Sequence, residues 1–486
     1  MTTVILTSSS SQQTLSVFND AYVLPGAVIY STNDHAIKNA GSTDSNISLV
    51  VDGAVIGDNN GIRLVGTDLG VGNNELTIGS TGVVRNIDGD WAAIFLQGSN
   101  SWLNNLGEAT GGWGTFFLNA DDGNIFNAGI LGAFSSIGAG AYVDNSDNFQ
   151  LINTGLIYGL DGSIGIEILD SENVTLNNSG EIAGRIETFS SSIDFTNTGV
   201  VSGGVEMFGS TGSQITNSGL IDGEVVLASG DDMFNGFGGL ALGPIFGGAG
   251  NDIIRSGYGD DSIEGGAGAD LINGGLGDDW ASYEGSTAGI TLDFRTGVGY
   301  GVGGDASGDT VLNVENIIGS DLADAIKGDV NANTLRGLDG NDDLRGFGGA
   351  DTLDGGDGAD VLFGFADNDI LDGGAGADVM VGGTGADVFR YDDGDTGRGQ
   401  DSDRINDFGV DDILDLSGID AVPGGADDAF ILLSAGQQFT GQGQQARFVM
   451  NGDDVVLQFD IDGDQVPDGA IVFANGYMPT EDQIIL

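Results

Sequence analysis

The chain has 486 residues and a formal net charge of −60, from 73 acidic residues against 13 basic ones. This charge excludes nucleic acid as a partner, because phosphate contacts need Lys and Arg. The absence of cysteine excludes disulfides and thiolate metal sites. We expect no transmembrane segment, since no stretch approaches roughly twenty apolar residues. We also expect no cleavable signal peptide, because the start MTTVILTSSS lacks a basic region and a long apolar core.

The negative charge is concentrated in the second half of the chain. Residues 1–230 hold 24 acids and four bases, hence −20, whereas the remainder holds 49 acids and nine bases, hence −40. Without cations, the second half is expected to repel itself and stay expanded. A cation that binds only the folded form would draw the chain into that form by mass action.

A loose repeat of Asn, a small residue and Gly runs through the first half, followed each time by alternating apolar residues. Its asparagines are spaced by 19 to 26 residues, and they are Asn105, Asn127, Asn153, Asn178, Asn197 and Asn217. Recurrence at such a period is typical of a solenoid. We therefore predict a right-handed parallel β-helix over residues 31–228, preceded by a short cap over residues 1–30. Asparagines at equivalent turns are expected to form a stacked side-chain ladder.

A stricter repeat follows, in which an Asp or Asn recurs every nine residues in two runs. These residues are Asp252, Asp261, Asp270, Asp279, Asp324, Asn333, Asp342, Asp351, Asp360, Asp369, Asp378 and Asp387. Two positions after each of them stands an apolar residue, weak only at Ala281. A flexible linker would have no reason to keep this period, so the pattern indicates short strands that point one side chain into a narrow core.

The pattern G-G-x-G-x-D-x-U-x, where U is a large apolar residue, predicts calcium binding. Its glycines permit positive φ, so that a short loop can turn its carbonyls inward. Carbonyls and a carboxylate offer the oxygen ligands that Ca²⁺ prefers. Loops eighteen residues apart should stack, with metal between pairs such as Asp360 and Asp378. The glycines assigned to the metal sites are Gly247, Gly250, Gly265, Gly268, Gly274, Gly277, Gly355, Gly358, Gly373, Gly376, Gly382 and Gly385.

The repeats form two predicted β-roll blocks, residues 229–282 and 319–390, separated by a spacer over residues 283–318. The spacer is expected to contain strands at 290–294 and 311–318 and to prolong the roll without the short-loop calcium geometry. Some loops depart from the pattern. Asn331 and Asp367 replace one glycine, and Leu338, Phe347 and Phe365 replace another.

Residues 391–486 no longer follow the repeat and are predicted to form an antiparallel C-terminal cap. Within it, the segment DIDGDQVPD alternates carboxylates at Asp460, Asp462, Asp464 and Asp468. Two interpretations remain open for it, a further cation site and a solvated hairpin turn. A capping calcium near Asp407 is a weaker hypothesis.

The tandem nonapeptides resemble those of the RTX (repeats-in-toxin) proteins of Gram-negative bacteria, and residues 391–486 resemble the C-terminal domain of the serralysins. The resemblance covers roughly residues 229–486 and does not extend to the first half. It implies Ca²⁺ as the bound metal and secretion by type I machinery, with an uncleaved signal at the C-terminus. It also implies an extracellular or cell-surface location.

The sequence favours a non-enzymatic, secreted calcium-binding solenoid with a structural, matrix, surface-layer or adhesion role. Its partner would be a polysaccharide, a cell-surface ligand or further copies of itself. A β-helix glycosidase, lyase or epimerase with an RTX export module is the alternative. Asp121, Asp122 and Glu167 have a suitable residue type for a glycosidase, but no spacing singles them out. His35 is interpreted as a loop residue, and Trp91, Trp102 and Trp113 as residues buried in coil corners rather than as sugar-stacking platforms.

Overall fold

The fold is described from a computed structural model. The residues that it describes are 2–7, 9–15, 19–32, 35–39, 47–65, 74–87, 91–135, 138–160, 163–189, 192–209, 211–392, 394–396, 402–419, 430–434 and 436–486. The chain divides into two compact units. One comprises Met1–Ile263 with Gly275–Gly277, and the other comprises Glu264–Gly274 with Asp278–Leu486.

The first unit is a parallel β-helix with three strands in each coil, one in each of three sheets. The first sheet contains Thr2–Leu6, Asn19–Val23, Ile47–Val51, Asn74–Ile78, Trp102–Asn105, Asn124–Asn127, Gln150–Asn153, Val174–Asn178, Ile193–Asn197, Gln214–Asn217, Met233–Asn235 and Ile253–Tyr258. The second contains Val28–Ser31, Ala54–Gly57, Val83–Asn86, Glu108–Gly111, Ile130–Ala133, Leu156–Tyr158, Glu181–Ala183, Val200–Val201, Leu220–Ile221 and Leu240–Ala241. The third contains Gln13–Leu15, Ile37–Asn39, Ile62–Val65, Ile94–Gln97, Thr115–Leu118, Ala141–Asp144, Ile164–Leu169, Arg185–Phe189, Val205–Met207, Val225–Val226 and Ile245–Ala249. Residues 1–30, predicted as a cap, contribute strands to all three sheets.

The core of the first unit is built from columns of apolar side chains that are in register from coil to coil. Alternate residues of each strand point inward, because successive side chains of a strand face opposite sides. In the first sheet, Leu103 pairs with Ile125, which pairs with Leu151. The column continues through residues that are all at most 1 % exposed, Leu176, Phe195, Ile215, Phe234 and Ile254. Each coil therefore packs its apolar side chains against those of the coils before and after it.

The predicted asparagine ladder is confirmed. The Asn127 Nδ2 donates to Asn153 Oδ1 at 2.8 Å, and the Asn153 Nδ2 donates to Asn178 Oδ1 at 2.8 Å. The same bond joins Asn105 to Asn127, Asn178 to Asn197 and Asn197 to Asn217. Each amide also donates to a backbone carbonyl of the next coil, as Asn153 does to Glu181 O at 3.1 Å. These six side chains are at most 2 % exposed, and the ladder satisfies polar groups at a buried corner.

The second unit contains a parallel β-roll with two strands in each coil. One sheet contains Ala325–Lys327, Asp343–Phe347, Val361–Ala366, Val379–Thr384 and Asp403–Ile405. The other contains Trp280–Ser282, Asn316–Ile318, Thr334–Gly340, Thr352–Gly358, Ile370–Asp372 with Ala375–Gly376, Val388–Asp392, Ile413–Gly418 and Ile484–Ile485. Residues eighteen apart are in register, as Leu335 is with Leu353 and Leu353 with Leu371. All three are at most 1 % exposed, so two nonapeptides make one coil, as the period predicts.

The spacer is more elaborate than the two strands that the sequence predicts. Thr291–Asp293 pairs antiparallel with Gly299–Val302, which pairs antiparallel with Thr310–Leu312. The outer strands of this meander rejoin the roll, since Thr310–Leu312 is parallel to Leu271–Leu276 and Thr291–Asp293 is parallel to Ala325–Lys327. A short 3-10 helix, Gly304–Ala306, follows the middle strand. The Gly-rich segment of residues 296–304 has too little apolar periodicity to predict the middle strand.

The C-terminal segment forms an antiparallel sheet that extends one edge of the roll. Gln445–Asn451 pairs with Asp454–Asp460, and this strand pairs with Gly469–Phe473. Gly469–Phe473 is parallel to Asp403–Ile405. Ile431–Leu433 pairs with the start of the first of these strands, and a 3-10 helix, Glu481–Gln483, precedes the last strand. Among the described residues, no helix combines the length and the apolar character that a membrane span requires.

Candidate metal centres

The repeat aspartates of the second block form two columns in which each carboxylate binds the backbone of the coil before it. In the first column, Asp342 Oδ1 accepts from Asp324 N at 2.7 Å, and Asp360 Oδ1 accepts from Asp342 N at 2.7 Å. Asp378 Oδ1 then accepts from Asp360 N at 2.8 Å. The second column, on the other sheet, repeats this pattern through Asn333, Asp351, Asp369 and Asp387 with bonds of 2.8 to 3.0 Å. One carboxylate oxygen of each residue thus holds the stack in register.

The other carboxylate oxygen is buried and receives no hydrogen bond. This holds for Oδ2 of Asp342, Asp351, Asp360, Asp369, Asp378 and Asp387, and all six side chains are at most 1 % exposed. Leaving a charged oxygen buried and unpaired is strongly unfavourable. Two columns of such oxygens therefore fit a cation that would supply the missing interactions.

The first glycine of the repeat is required by the close approach of a repeat carboxylate. A Cβ placed on Gly355 would lie 2.6 Å from Asp360 Oδ2 and 2.6 Å from the carbonyl oxygen of Gly373 in the next coil. A side chain at this position would collide with both oxygens. Glycine therefore lets the carboxylate and the carbonyl of the next coil, both of them oxygen donors of the kind that Ca²⁺ prefers, approach the loop. Equivalent Cβ positions on Gly265, Gly274, Gly337, Gly346, Gly364, Gly373 and Gly382 also meet a repeat carboxylate.

The second glycine of the repeat has the other predicted role, that of positive φ. Gly248, Gly356 and Gly374 have φ of +99°, +94° and +75°. Where this glycine is replaced, the loop keeps the same conformation, since Leu338, Phe347 and Phe365 have φ of +75° to +77°. Such values are rare for bulky residues. The ring centroids of Phe347 and Phe365 are 4.8 Å apart with 4° between the ring planes. This stacking contact stabilises the strained backbone of the two loops.

The first block divides between the two units, and each part is built in the same way. In the first unit, Asp252 Oδ1 accepts from Asp232 N at 2.7 Å. In the second unit, Asp270 N donates to Asp309 Oδ1 at 2.8 Å, and Asp279 N donates to Glu315 Oε2 at 3.0 Å. The four repeat aspartates, Asp252, Asp261, Asp270 and Asp279, are at most 3 % exposed. The loops also contain Gly247, Gly250, Gly268 and Gly277, while Gly358, Gly376 and Gly385 lie tightly against carbonyls of the coil before them.

Sequence reasoning missed four further members of these columns. They are Asp232, Asp309, Asp403 and Asp412, of which Asp403 Oδ1 accepts from Asp378 N and Asp412 Oδ1 from Asp387 N. Asp309 of the spacer takes the same backbone bond, but its Oδ2 accepts from the Tyr283 hydroxyl at 3.0 Å, so the absence of short-loop calcium geometry from the spacer stays a prediction. All four stand two residues before a buried apolar residue, Phe234, Val311, Ile405 or Leu414. The signal was present as Asp-x-apolar, but insertions displace it from the nine-residue period.

A capping calcium near Asp407 is not favoured. Both of its oxygens already accept backbone hydrogen bonds, Oδ1 from Gly382 N at 3.0 Å and Oδ2 from Gly383 N at 2.7 Å.

Burial raises the pKa of the repeat carboxyls, and neighbouring carboxylates raise it further against the opposing effect of the backbone N–H bonds. The pKa rises from 3.8 to about 7 for Asp342, Asp360 and Asp369, and to about 8 for Asp351. Without a cation, a substantial fraction of these groups is therefore protonated in the folded state at neutral pH. A bound cation requires the ionised form, so cation binding releases protons.

We therefore expect the folded state to lose stability with rising pH when calcium is absent, and to need less calcium with rising pH when calcium is present. In the metal-free protein the folded state binds more protons than the unfolded chain, so its stability is greatest near pH 4 and falls as pH rises through about 7. With calcium, protons compete with the ion for the same carboxylate oxygens. The calcium concentration at the folding midpoint (the calcium midpoint) should therefore rise as pH falls from 8 to 6. Calcium titrations and chelator-treated unfolding curves across this range test both signs. A calcium midpoint independent of pH would contradict buried aspartates as ligands.

The fold and the buried carboxylate columns define a calcium-binding parallel solenoid. Residues 246–281, 327–362 and 363–396 match the family model described as the RTX calcium-binding nonapeptide repeat (four copies), so these segments are calcium-binding repeats of that type. Among curated proteins, none matches the chain. Solved structures include a similar chain, the AlgE6R3 subunit of the Azotobacter vinelandii mannuronan C5-epimerase. It is 25% identical over 34% of this chain and 78% of that chain, with a TM-score of 0.20.

The residues considered for catalysis do not form one site. Asp121 Oδ1 accepts from Asp147 N at 3.0 Å and Asp147 Oδ1 from Glu172 N at 2.8 Å, so Asp121 belongs to a stacked turn. Asp122 is an exposed turn residue with φ of +54°. Glu167 lies instead in a strand of the third sheet, and His35 Nδ1 accepts from Asn60 N at 3.2 Å. The prediction that the tryptophans are buried is wrong. Trp91, Trp102 and Trp113 are 50 %, 54 % and 41 % exposed.

Proposed function

We propose that the protein is a secreted solenoid with a structural, matrix, surface-layer or adhesion role, and that its second half folds when it binds calcium outside the cell. The observation that carries the proposal is the pair of columns in which six buried carboxylates each have one oxygen without a hydrogen bond. Where calcium is scarce, the repulsion among these groups keeps the chain unfolded. Calcium then stabilises the folded form by mass action.

An unfolded chain is the form that a narrow export channel can pass. The RTX repeats support export of this kind from a Gram-negative cell. On this proposal the secretion signal lies in the C-terminal segment, residues 391–486, and the type I secretion machinery recognises it.

Removal of residues 437–486 is therefore expected to stop secretion almost completely. Immunoblots of medium and cells measure the exported fraction. The full-length chain is the reference, and calcium content of the truncated chain purified from cells checks that the repeats remain competent. Export of the truncated chain at the normal level would contradict a secretion signal in the C-terminal segment.

The first unit supplies a surface suited to retention of a polysaccharide. A trough of about 590 Å³ lies on its first sheet, with Trp102 and Phe126 among amide side chains such as Asn104 and Gln150. Both rings are exposed, at 54 % and 39 %. An aromatic face beside amide groups is a common combination in small-molecule sites, where the ring offers apolar surface and the amides fix orientation. This supports adhesion or a matrix role through a glycan.

A polysaccharide-modifying enzyme remains the second candidate because of one cluster in the third sheet. Glu167 is in register with Tyr142 on one side and Glu187 on the other. Burial raises the pKa of both glutamates. The carboxylates of Glu187 and Asp144 raise the pKa of Glu167 further, whereas at Glu187 the charge of Arg185 opposes the rise. Glycosidases use a pair of carboxyl groups, of which the general acid has a raised pKa. Arg185, however, forms an ion pair with Glu187 and another with Glu206 at 3.1 Å, an arrangement that also serves structure alone.

A screen of neutral and acidic polysaccharides for retention and for cleavage separates these roles. Retention without cleavage, reduced in Trp102→Ala and unchanged in Glu167→Gln, is the expected result. Release of reducing or unsaturated ends that Glu167→Gln abolishes would replace the proposal by the enzymatic one. Calcium-induced assembly into sheets without glycan retention would select the surface-layer role.

A further inference from the structure

The loop between the last two strands of the C-terminal sheet gathers three carboxylates. Asp460 ends the strand Asp454–Asp460, and Asp462 and Asp464 follow in the turn that leads to Gly469–Phe473. One carboxylate oxygen of each residue lies within 4.8 Å of the others. This loop lies outside the nonapeptide repeats.

The backbone of the loop is folded around these side chains. Asp460 Oδ1 accepts from Gly463 N at 2.9 Å, and Asp462 Oδ1 accepts from Asp464 N at 3.0 Å. Asp464 Oδ1 accepts from Val466 N at 2.7 Å. The turn requires Gly463 at φ of +77°, a value that glycine adopts without strain. Each carboxylate thus uses one oxygen to shape the loop.

Asp460 provides an independent sign of a ligand. Its side chain is 0 % exposed, and its Oδ2 is buried without a hydrogen-bond partner. The residue opposite it in the sheet, Gln445, directs its amide to Thr440 instead, with bonds of 2.8 Å. Within the described part of the chain, no Lys or Arg forms an ion pair with the three carboxylates. A solvated turn would explain the exposed Asp462 and Asp464, but it does not explain a buried, unpaired carboxylate oxygen.

We propose that this loop binds one Ca²⁺ through Asp460, Asp462 and Asp464. The donors are all carboxylate oxygens, which suit a hard cation and include none of the nitrogen or sulfur ligands of zinc. The ion would neutralise three clustered charges and fix the turn between Asp454–Asp460 and Gly469–Phe473. Because Gly469–Phe473 pairs with Asp403–Ile405 at the end of the roll, the site stabilises the strand that extends the roll's edge. This proposal does not rest on the proposed function.

The test counts calcium in the full-length protein. In the double variant D462N/D464N, each Asn keeps the oxygen that accepts the loop N–H bond but loses the negative charge. Equilibrium dialysis at saturating calcium should give one ion fewer per chain. The control is D453N, which removes an exposed carboxylate from the turn at the other end of the strand Asp454–Asp460 and should leave the count unchanged.

Hydrogen exchange at saturating calcium completes the test. Amides of residues 461–466 should exchange faster in the double variant, while those of residues 334–389 keep their protection. D464N alone, which removes one exposed charge, should weaken binding of the same single ion. An unchanged calcium count in D462N/D464N overturns the proposal. Loss of several ions together with protection of the roll also overturns it, because the loop would then not be a separate site.

Discussion

Replacing Asp360 and Asp378 together by Asn should raise the calcium concentration at the folding midpoint by roughly tenfold or more. The two residues are neighbours in the first column, and each has a buried Oδ2 without a partner. Asn retains the oxygen that accepts the backbone N–H, so the stack can still form. The charge that attracts the cation is lost from two consecutive coils. A loss of about 1.4 kcal/mol in binding free energy corresponds to a factor of ten, and two ligands are removed.

The matched control is D339N/D357N. Asp339 and Asp357 are also in register in consecutive coils, and both are exposed. The two double variants change the net charge equally, so a difference between them isolates the buried carboxylates from general repulsion. Calcium titration followed by circular dichroism gives the midpoints. Equal shifts in both variants would contradict metal ligation by Asp360 and Asp378.

The second large effect is expected in the first unit, from Asn153→Ala. The Asn153 amide receives a bond from Asn127 Nδ2 and donates to Asn178 Oδ1, both at 2.8 Å, at a fully buried corner. Alanine removes one of the two ladder partners of Asn127 and of Asn178 and also opens a small cavity. Each buried unsatisfied group costs about 1–3 kcal/mol. The free energy of unfolding of this unit should therefore fall by about 2–4 kcal/mol.

Urea unfolding followed by tryptophan fluorescence measures this change, because three of the four tryptophans, Trp91, Trp102 and Trp113, lie in the first unit, while the signal of Trp280 in the second unit is common to the variant and its control. Gln150→Ala is the control, since Gln150 belongs to the same strand and is exposed. It should change the stability by less than about 0.5 kcal/mol. A ladder variant as stable as the control would show that the asparagines do not hold the coils together.

Much of the fold could be predicted because its repeats encode the same contact many times. The spacing of Asn127, Asn153 and Asn178 predicted the ladder, and the nine-residue period predicted the core column of Leu335, Leu353 and Leu371. Repetition makes such patterns visible in a single sequence. The period also predicted the position of the buried carboxylates.

Two kinds of feature could not be predicted. The first are column residues that insertions displace from the nine-residue period, and the second are side chains whose exposure depends on which face of a strand meets the core. Asp309 and Asp403 occupy column positions, but insertions of different length precede them, and sequence spacing cannot measure how a loop folds back. The positive φ of Phe347 is held by its neighbours in the stack rather than by its own preference. The exposure of Trp102 depends on which face of a short strand meets the core, and a strand of four residues leaves that register weakly specified.

Hydrogen exchange with and without calcium, resolved by peptide at pH 7.5, tests most directly whether calcium holds the roll together. With calcium, amides of residues 334–389 should be protected. In excess chelator they should exchange as an unfolded chain does, while residues 102–217, which contain the asparagine ladder, stay protected. Protection of residues 334–389 that persists unchanged in chelator would contradict the account, because the buried carboxylates would then be tolerated without metal.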